Sequence, residues 1–173
     1  MILEILLASS VATSSSSSTL PTWKCIDCTP AEKETLQYIQ ERTNITDRNA
    51  LATIMGNIKQ ESDFKPNICE GGARVNYDQC HRGGFGLIQW TTTGRYNNLG
   101  KFCRNYGCDP SSLTGQLRYM VNENIFQRQL PYFEGSGMNV SYYMNAAYRW
   151  LGWGIHGART NYAYDYTKKF IFA

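Results

Sequence analysis

Apolar residues recur every three or four positions along most of the chain, the spacing that places them on one face of a helix. The first helix is expected to begin at Pro30, with Thr29 as its cap. The second should be capped by Thr46 or Asp47 and run to about Ser62. The same spacing predicts four further helices, at 93–106, 112–128, 139–152 and 157–170.

Between the second and third helices the pattern changes. Residues 67–90 are rich in Gly, Asn and Asp and alternate only briefly, which is typical of a small β-hairpin or an irregular loop. Pro131 and the Gly135-Ser136-Gly137 segment predict a loop between two later helices. With no internal repeat, these elements predict a single mainly α domain over residues 23–173, preceded by a Ser-rich arm at 1–22.

One carboxylate stands where the helical pattern requires an apolar side chain. The second helix carries an apolar stripe that Glu61 continues, formed by Leu51, Ile54, Met55 and Ile58. Burial of a carboxyl group and the negative end of the helix dipole both raise its pKa. An acid that is protonated near neutral pH can serve as a general acid. The alternative is a structural carboxylate, paired with a nearby arginine or bonded to a backbone amide.

Composition and charge limit the classes of function that the chain can have. The 173 residues are 42% hydrophobic and 18% charged, which is sufficient for a globular core. The net charge of +3 includes no run of Lys and Arg, so we expect no nucleic-acid partner. The apolar run at the start of the arm is too short to span a membrane. We also expect no metal and no cofactor.

The six cysteines fall into three pairs that are close in sequence: Cys25 and Cys28, Cys69 and Cys80, Cys103 and Cys108. This spacing favours local disulfides in an oxidising setting, while a zinc site and reduced, buried thiols are the alternatives. A thiol peptidase would pair Cys80 with His81 or His156, the two histidines. Adjacent residues of an extended segment point to opposite faces, which argues against Cys80 with His81.

Two segments, QESDFKPN and GFGLIQWTTTGR, carry a more specific pattern. In this order they resemble the lysozyme domain of phage tail-associated cell-wall hydrolases, within the wider goose-type lysozyme and lytic transglycosylase group. The resemblance has motif support over residues 35–130, and Asp63 and the cysteine-bearing insert 69–80 depart from it. The matching positions are Glu61, Ser62, Phe64, Pro66, Gly84, Gly86, Leu87, Gln89, Trp90 and Arg95.

The resemblance implies a lysozyme-like fold with the small hairpin or loop beside a cleft. Glu61 would be the catalytic acid of a glycosidase acting on peptidoglycan, either a muramidase or a lytic transglycosylase. The residues expected to bind the glycan strand or shape its site are Ser62, Phe64, Gly84, Gly86, Leu87, Gln89, Trp90 and Arg95. A core anchor is the alternative role for Trp90, and an ion-pairing or loop-fixing role is preferred for Arg95.

A second catalytic carboxylate is less well defined by the sequence. Glu70 and Asp78, both on the insert, are the candidates, and Asp63 lies just past the helix end. Glycosidases with two carboxylates use the second as base or nucleophile. The resemblance also allows a single acid, assisted by the acetamido group or the 6-hydroxyl of the substrate. Hydrolysis and transglycosylation therefore both stay open.

The resemblance further implies a virion component that opens the cell wall locally during infection, acting in the host periplasm or cell wall. The arm 1–22 carries Glu4 where a secretory leader has basic residues. We therefore expect the arm to be retained and to dock on another virion protein. The alternative to an enzyme is a non-catalytic virion subunit that is structural or binds peptidoglycan.

Overall fold

The computed structural model describes residues 22–91 and 94–173. The predicted arm lies outside these residues apart from Thr22, so its docking on a partner stays a prediction. Helices make up most of the described chain, which confirms the mainly α prediction: α1 (Pro30–Arg42), α2 (Arg48–Ser62), α3 (Arg95–Tyr106), α4 (Leu113–Asn122), α5 (Asn124–Phe133), α6 (Val140–Leu151) and α7 (Arg159–Lys169). Among the described residues, none of these helices has the length and apolar character needed to cross a bilayer.

Short strands form two small antiparallel sheets: β1 (Trp23–Cys25) with β4 (Phe170–Phe172), and β2 (Gly84–Phe85) with β3 (Trp90–Thr91). In the first sheet Trp23 lies opposite Phe172, so the two ends of the described chain are joined. This pairing was not predicted, because strands of three residues carry too little alternation to be recognised. The second sheet is the small hairpin predicted within residues 67–90, with Phe85 opposite Trp90.

The predicted starts of the first two helices are confirmed. The side chain of Thr29 accepts a hydrogen bond from the Glu32 amide, and the Glu32 carboxylate accepts one from the Thr29 amide at 2.6 Å. This reciprocal pair satisfies two of the amides that a helix start leaves without partners. Asp47, and not Thr46, caps α2, because its Oδ1 accepts from the Asn49 amide at 2.8 Å.

Two predictions about the later helices were wrong. The segment 112–128 is not one helix, because Glu123 adopts an extended backbone conformation that separates α4 from α5. Pro131 does not lie in a loop but inside α5. Its missing N–H costs one helical hydrogen bond. The helix continues because Phe126 and Phe133 are both fully buried against the Trp150 ring, at centroid distances of 5.1 and 6.3 Å.

Helix α2 lies at the centre of the core. Its residues from Ala50 to Ile58 are all buried, and α6 and α7 both pack against it. Gly56 permits the close approach of α7, since a Cβ at this position would lie 2.5 Å from the Ala163 amide nitrogen and 2.9 Å from the Arg159 carbonyl oxygen. This packing brings the first residue of α7, Arg159, next to α2.

The cysteines form three local disulfides, Cys25–Cys28, Cys69–Cys80 and Cys103–Cys108. All six lie in the described residues, and none is free. The disulfide alternative is therefore confirmed over zinc ligation and over reduced thiols. The thiol-peptidase hypothesis is excluded as well, because Cys80 has no thiol to act as nucleophile and His156 contacts Thr160 instead, at 2.8 Å.

Candidate active site

Glu61 lies in the last turn of α2, at the edge of the apolar core. The four residues of the stripe that precedes it, Leu51, Ile54, Met55 and Ile58, have no exposed surface. The side chain of Glu61 itself retains 16% of its exposure. Glu61 therefore continues the buried face, as its spacing predicts, but keeps an opening to the surface that a closed core position would lack.

The chain turns sharply directly after Glu61. Asp63 and Phe64 both adopt the left-handed conformation, with φ of 50° and 59°, and the Asp63 amide closes the helix by donating to the Lys59 carbonyl at 2.9 Å. Phe64 is buried and meets the Tyr166 ring edge-on, with centroids 6.3 Å apart. Phe64 thus fixes the turn from below, while its side chain is withdrawn from solvent.

A buried arginine binds Glu61. Nη2 of Arg159 donates to Oε1 of Glu61 at 2.7 Å, and Nη1 lies 3.3 Å from Oδ1 of Asn57, one turn earlier on α2. The guanidinium also lies over the Trp153 ring, 4.5 Å from its centroid. Arg159 is 4% exposed, and its Nε has no hydrogen-bond partner among the described residues. The Glu61 carboxylate is therefore held in a defined position by a rigid cation.

Burial and charge act on Glu61 in opposite directions. Burial has the largest effect and raises the pKa of the Glu61 carboxyl, whereas the charge and hydrogen bond of Arg159 and the charge of Arg95 lower it. The net result is a pKa above the ordinary value of 4.5. The arginine partner of the structural alternative is therefore present, while the raised pKa is what the general-acid interpretation requires, and that role stays a prediction.

The hairpin that contains the second motif is fixed to the end of α2. The Ser62 hydroxyl donates to the Leu87 carbonyl at 2.6 Å, and the Leu87 amide donates to Oε1 of Gln116 at 2.8 Å. Ser62 and Leu87 are both buried. The two motif segments, which are more than twenty residues apart in sequence, therefore meet directly beside Glu61.

Both motif glycines of the hairpin lie so close to neighbouring side chains that there is no room for a Cβ. A Cβ on Gly84 would lie 2.7 Å from the Cβ of Gln89, and one on Gly86 would lie 2.6 Å from Oε1 of Gln116. Gly86 also has a φ of 76°, which L side chains rarely adopt. The glycines are thus needed for packing within the chain, and a close approach of substrate to this backbone stays a prediction.

Backbone strain coincides with the two motifs. Asp63, Phe64 and Gln89 are the non-glycine residues with left-handed φ in the described part of the chain, and all three belong to the motif segments. Such conformations cost free energy and cluster at functional sites. The Gln89 side chain folds back so that its Nε2 donates to the Gly86 carbonyl at 2.9 Å, which stabilises the turn.

The other motif residues form a buried ion pair behind the hairpin. Trp90 is fully buried, and its indole N–H donates to Oε1 of Glu123 at 2.8 Å. Arg95 donates to both Glu123 oxygens, from Nε at 2.9 Å and from Nη2 at 2.7 Å. Trp90 therefore lies in the core, as its alternative role proposed, and Arg95 forms the ion pair expected of it.

The candidates for a second carboxylate are placed differently. Glu70 accepts from the Gly84 amide at 2.8 Å, and a Cβ on Gly83 would overlap its carboxylate. Glu70 thus lies across the turn that begins the hairpin. Asp78 is exposed in a 3-10 turn beside Tyr77 and Tyr96, whose pKa values are raised mainly by burial and to a smaller extent by the charge of Asp78. The charged groups that shift the pKa of Glu61 are two arginines.

Comparison with known protein families gives one match. A family model described as phage tail lysozyme matches residues 31–153, which is more than half of the chain. The chain belongs to the phage tail lysozyme family. A search of curated proteins gave no match, and a search of solved structures gave none. Membership of this lysozyme family indicates a peptidoglycan-degrading phage protein of the glycosidase type, a virion component that acts on the cell wall.

Four residues around the lysozyme-family site were not assigned a role from the sequence, although the last two lie in the suggestive aromatic and Arg-containing pattern YRWLGWG…GARTNYA: Asn57, Glu123, Trp153 and Arg159. Asn57 precedes Glu61 by one helical turn, so its position on the same face was available from the spacing. Glu123 was hidden inside what the pattern predicted as a single helix. Arg159 lies 98 residues after Glu61, beyond the span matched by the family model, and periodicity carries no signal for a contact at that distance.

Proposed function

We propose that this phage tail lysozyme-family protein cleaves the glycan strands of peptidoglycan with Glu61 as general acid. The observation that carries the proposal is the raised pKa of a carboxyl group that is buried on one side and open on the other. A protonated acid near neutral pH is what cleavage of a glycosidic bond requires, because the leaving oxygen must gain a proton. Cleavage by a virion component would open the wall locally during infection, in the host periplasm or cell wall.

Arg159 positions the acid. Its guanidinium binds Oε1 of Glu61, and an oxygen that accepts a bond from a cation is the unprotonated oxygen of a carboxylic acid. The proton is therefore carried by Oε2, which donates it to the glycosidic oxygen. After donation the carboxylate remains beside Arg159, which stabilises the negative charge until the proton returns.

The other motif residues support the site. Ser62, Phe64, Gly84, Leu87 and Trp90 are buried, so we assign them to the packing that supports the site and leave contact with the glycan to the backbone of the hairpin. Gln89 and Gly86 shape the turn through their hydrogen bond. Arg95 holds the hairpin through Glu123 and adds positive charge near Glu61.

We assign Glu70 a structural role, because its carboxylate already binds the Gly84 amide. Asp78 we place outside the chemistry, because it is exposed and acts on the tyrosines of the insert. Cleavage would then depend on one acid, with the acetamido group or the 6-hydroxyl of the substrate completing the reaction. An anhydro sugar at the new end identifies the 6-hydroxyl route, and a hydrated end identifies hydrolysis.

The test is release of soluble muropeptides from purified peptidoglycan, with products identified by mass. We expect Glu61→Gln to lose activity by at least about 10²-fold, the usual contribution of a general acid. Glu41→Gln, on an exposed position of α1, is the matched control and should keep full activity. A wild type that releases nothing, or a Glu61→Gln variant that releases as much as wild type, would leave a non-catalytic structural or peptidoglycan-binding virion subunit as the function.

A further inference from the structure

A groove lined in part by Arg95 and Glu123 has no role in the proposed cleavage. It lies between α3 and the junction of α4 with α5 and encloses about 460 Å³. Its floor is apolar, formed by Phe102, Tyr119 and Ile125, which are buried or half-buried. The Phe102 and Tyr119 rings contact each other, with centroids 5.5 Å apart. The rim, by contrast, is mostly polar, with Tyr106 as its exposed aromatic residue.

The rim carries two cations without counter-ions. Lys101 and Arg128 both line the groove and are exposed, and neither forms an ion pair within the described part of the chain. The carboxylate among the lining residues, Glu123, is 6% exposed and is already bound by Arg95 and Trp90. The groove is therefore electropositive and is suited to an occupant that carries carboxylates.

The rim also offers amide groups. The side chains of Asn98, Asn105 and Asn124 line the groove and make no hydrogen bonds within residues 22–91 and 94–173. An asparagine amide presents two donors and an acceptor, the complement of a peptide backbone. Amides and cations that alternate above an apolar floor match a short peptide with acidic groups better than a neutral sugar chain, which needs no cations.

One end of the groove is lined by Arg95, and the groove is long enough for such a peptide. Arg95 lines its first part and is close enough to lower the pKa of Glu61 through its charge. From Arg95 to Asn105 the groove follows one face of α3, about 15 Å at 1.5 Å per residue. An extended chain covers this distance with four or five residues, at about 3.3 Å each.

We propose that this groove binds the peptide stem that peptidoglycan carries on its muramic acid residues. The stem is a short chain with free carboxylates, it is attached to the glycan close to the bond that is cut, and it fits the length, the charge and the amide groups described above. The inference rests on the proposed function, because it names the part of the same substrate that lies beside the cleaved bond. The protein then prefers glycan strands that carry stems over strands without them.

The test compares glycan strands with intact stems and the same strands stripped of their stems by an amidase. Wild type should cut the stem-bearing strands faster, by about fivefold, the effect expected of two or three exposed charged contacts. In Lys101→Gln/Arg128→Gln the ratio of the two rates should fall towards one. Arg104→Gln/Lys168→Gln removes two exposed cations outside the groove, the first on another face of α3, and should keep the wild-type ratio.

A wild-type ratio of one, or a ratio that the Lys101→Gln/Arg128→Gln variant leaves unchanged, overturns the inference. Calorimetric titration separates this failure from failure of the proposed function. A disaccharide–tetrapeptide should bind wild type more tightly than the disaccharide alone, and the difference should shrink in the groove variant. A wild type that cuts neither strand but binds in this way supports the groove and refutes the cleavage. Equal binding of the two probes refutes the groove.

Discussion

Replacing Glu61 by Gln removes the proposed acid and is expected to stabilise the protein at neutral pH. Burial raises the pKa of Glu61 despite the opposing effect of Arg159. The folded protein therefore binds more protons than the unfolded chain between the ordinary pKa of 4.5 and the raised one. The contribution of protonated Glu61 to stability is fully present below pH 4.5 and is lost as the pH rises through this window. Glutamine resembles the protonated acid in size and charge, and its amide oxygen can accept from Arg159 in place of Oε1, so the variant suffers no such loss.

The stability that Glu61→Gln gains can be worked out from the rise in the pKa of Glu61. Each unit by which the folded pKa exceeds the unfolded one corresponds to about 1.4 kcal/mol. In a chain of this length that free energy moves Tm by about 3–6 °C. The Glu61 side chain is 16% exposed, so solvent screening reduces the effect only slightly. Thermal unfolding from about pH 4 to about pH 8 should give coincident Tm values at the acidic end and a growing advantage for Glu61→Gln above it.

Glu41→Gln is again the control, because an exposed carboxylate should give no pH-dependent difference in Tm. The reasoning fails if Glu61→Gln is less stable than wild type at neutral pH and its deficit grows as the pH rises. That outcome would mean that attraction to Arg159 outweighs burial. Glu61 would then be an ionised structural partner, with no proton to give near neutral pH.

Two further variants test the elements that hold the site. Glu123→Gln should lower the free energy of unfolding by about 2–3 kcal/mol, measured in urea, because both Glu123 oxygens accept from Arg95 and an amide nitrogen in place of either one would face a donor. Gly56→Ala should lower it by about 1–3 kcal/mol, because the new Cβ would lie 2.5 Å from the Ala163 amide nitrogen. The second variant should also reduce muropeptide release, since it displaces the helix that carries the partner of Glu61.

Controls for both variants exist in the same chain. Gly154→Ala introduces a Cβ that meets nothing within 4 Å, so a Gly56→Ala protein as stable as Gly154→Ala would contradict the close packing of α2 and α7. For the ion pair, Glu41→Gln provides the exposed comparison. A Glu123→Gln protein that unfolds at the wild-type urea concentration would show that the Arg95 contacts add nothing in solution.

Local sequence patterns predicted most of the helices, but they did not predict the features that depend on contacts between distant residues. The α2 stripe and the caps at Thr29 and Asp47 are local features, so spacing and residue type were sufficient to find them. The course of α5 through Pro131 was decided by contacts with Trp150, which no window of neighbouring residues contains. The pairing of β1 with β4 joins opposite ends of the described chain. Neighbouring residues could not predict it either, because the two strands are far apart in sequence.

Part of the candidate site could likewise be predicted from local spacing, and part of it could not. The spacing along α2 predicted that Glu61 faces the core, and the structure places it there with the raised pKa expected from burial. Its neighbour Asn57 was within reach of the same reasoning. Arg159 was not, because periodicity states which face a residue occupies and not which residue meets it. The sequence could offer an arginine partner only as an alternative to the acid, whereas in the folded chain Glu61 has both an arginine partner and a raised pKa.

The combination has a chemical reason. Burial alone would keep Glu61 neutral, and an acid that cannot ionise cannot give up its proton to a leaving oxygen. Burial against the apolar stripe of α2 raises the pKa of Glu61, Arg159 opposes this rise, and the net pKa is above the ordinary value. The two effects come from different elements, α2 and α7, and their balance depends on the contact at Gly56. The proposed site therefore extends beyond the matched residues 31–153 to include Arg159 at the start of α7.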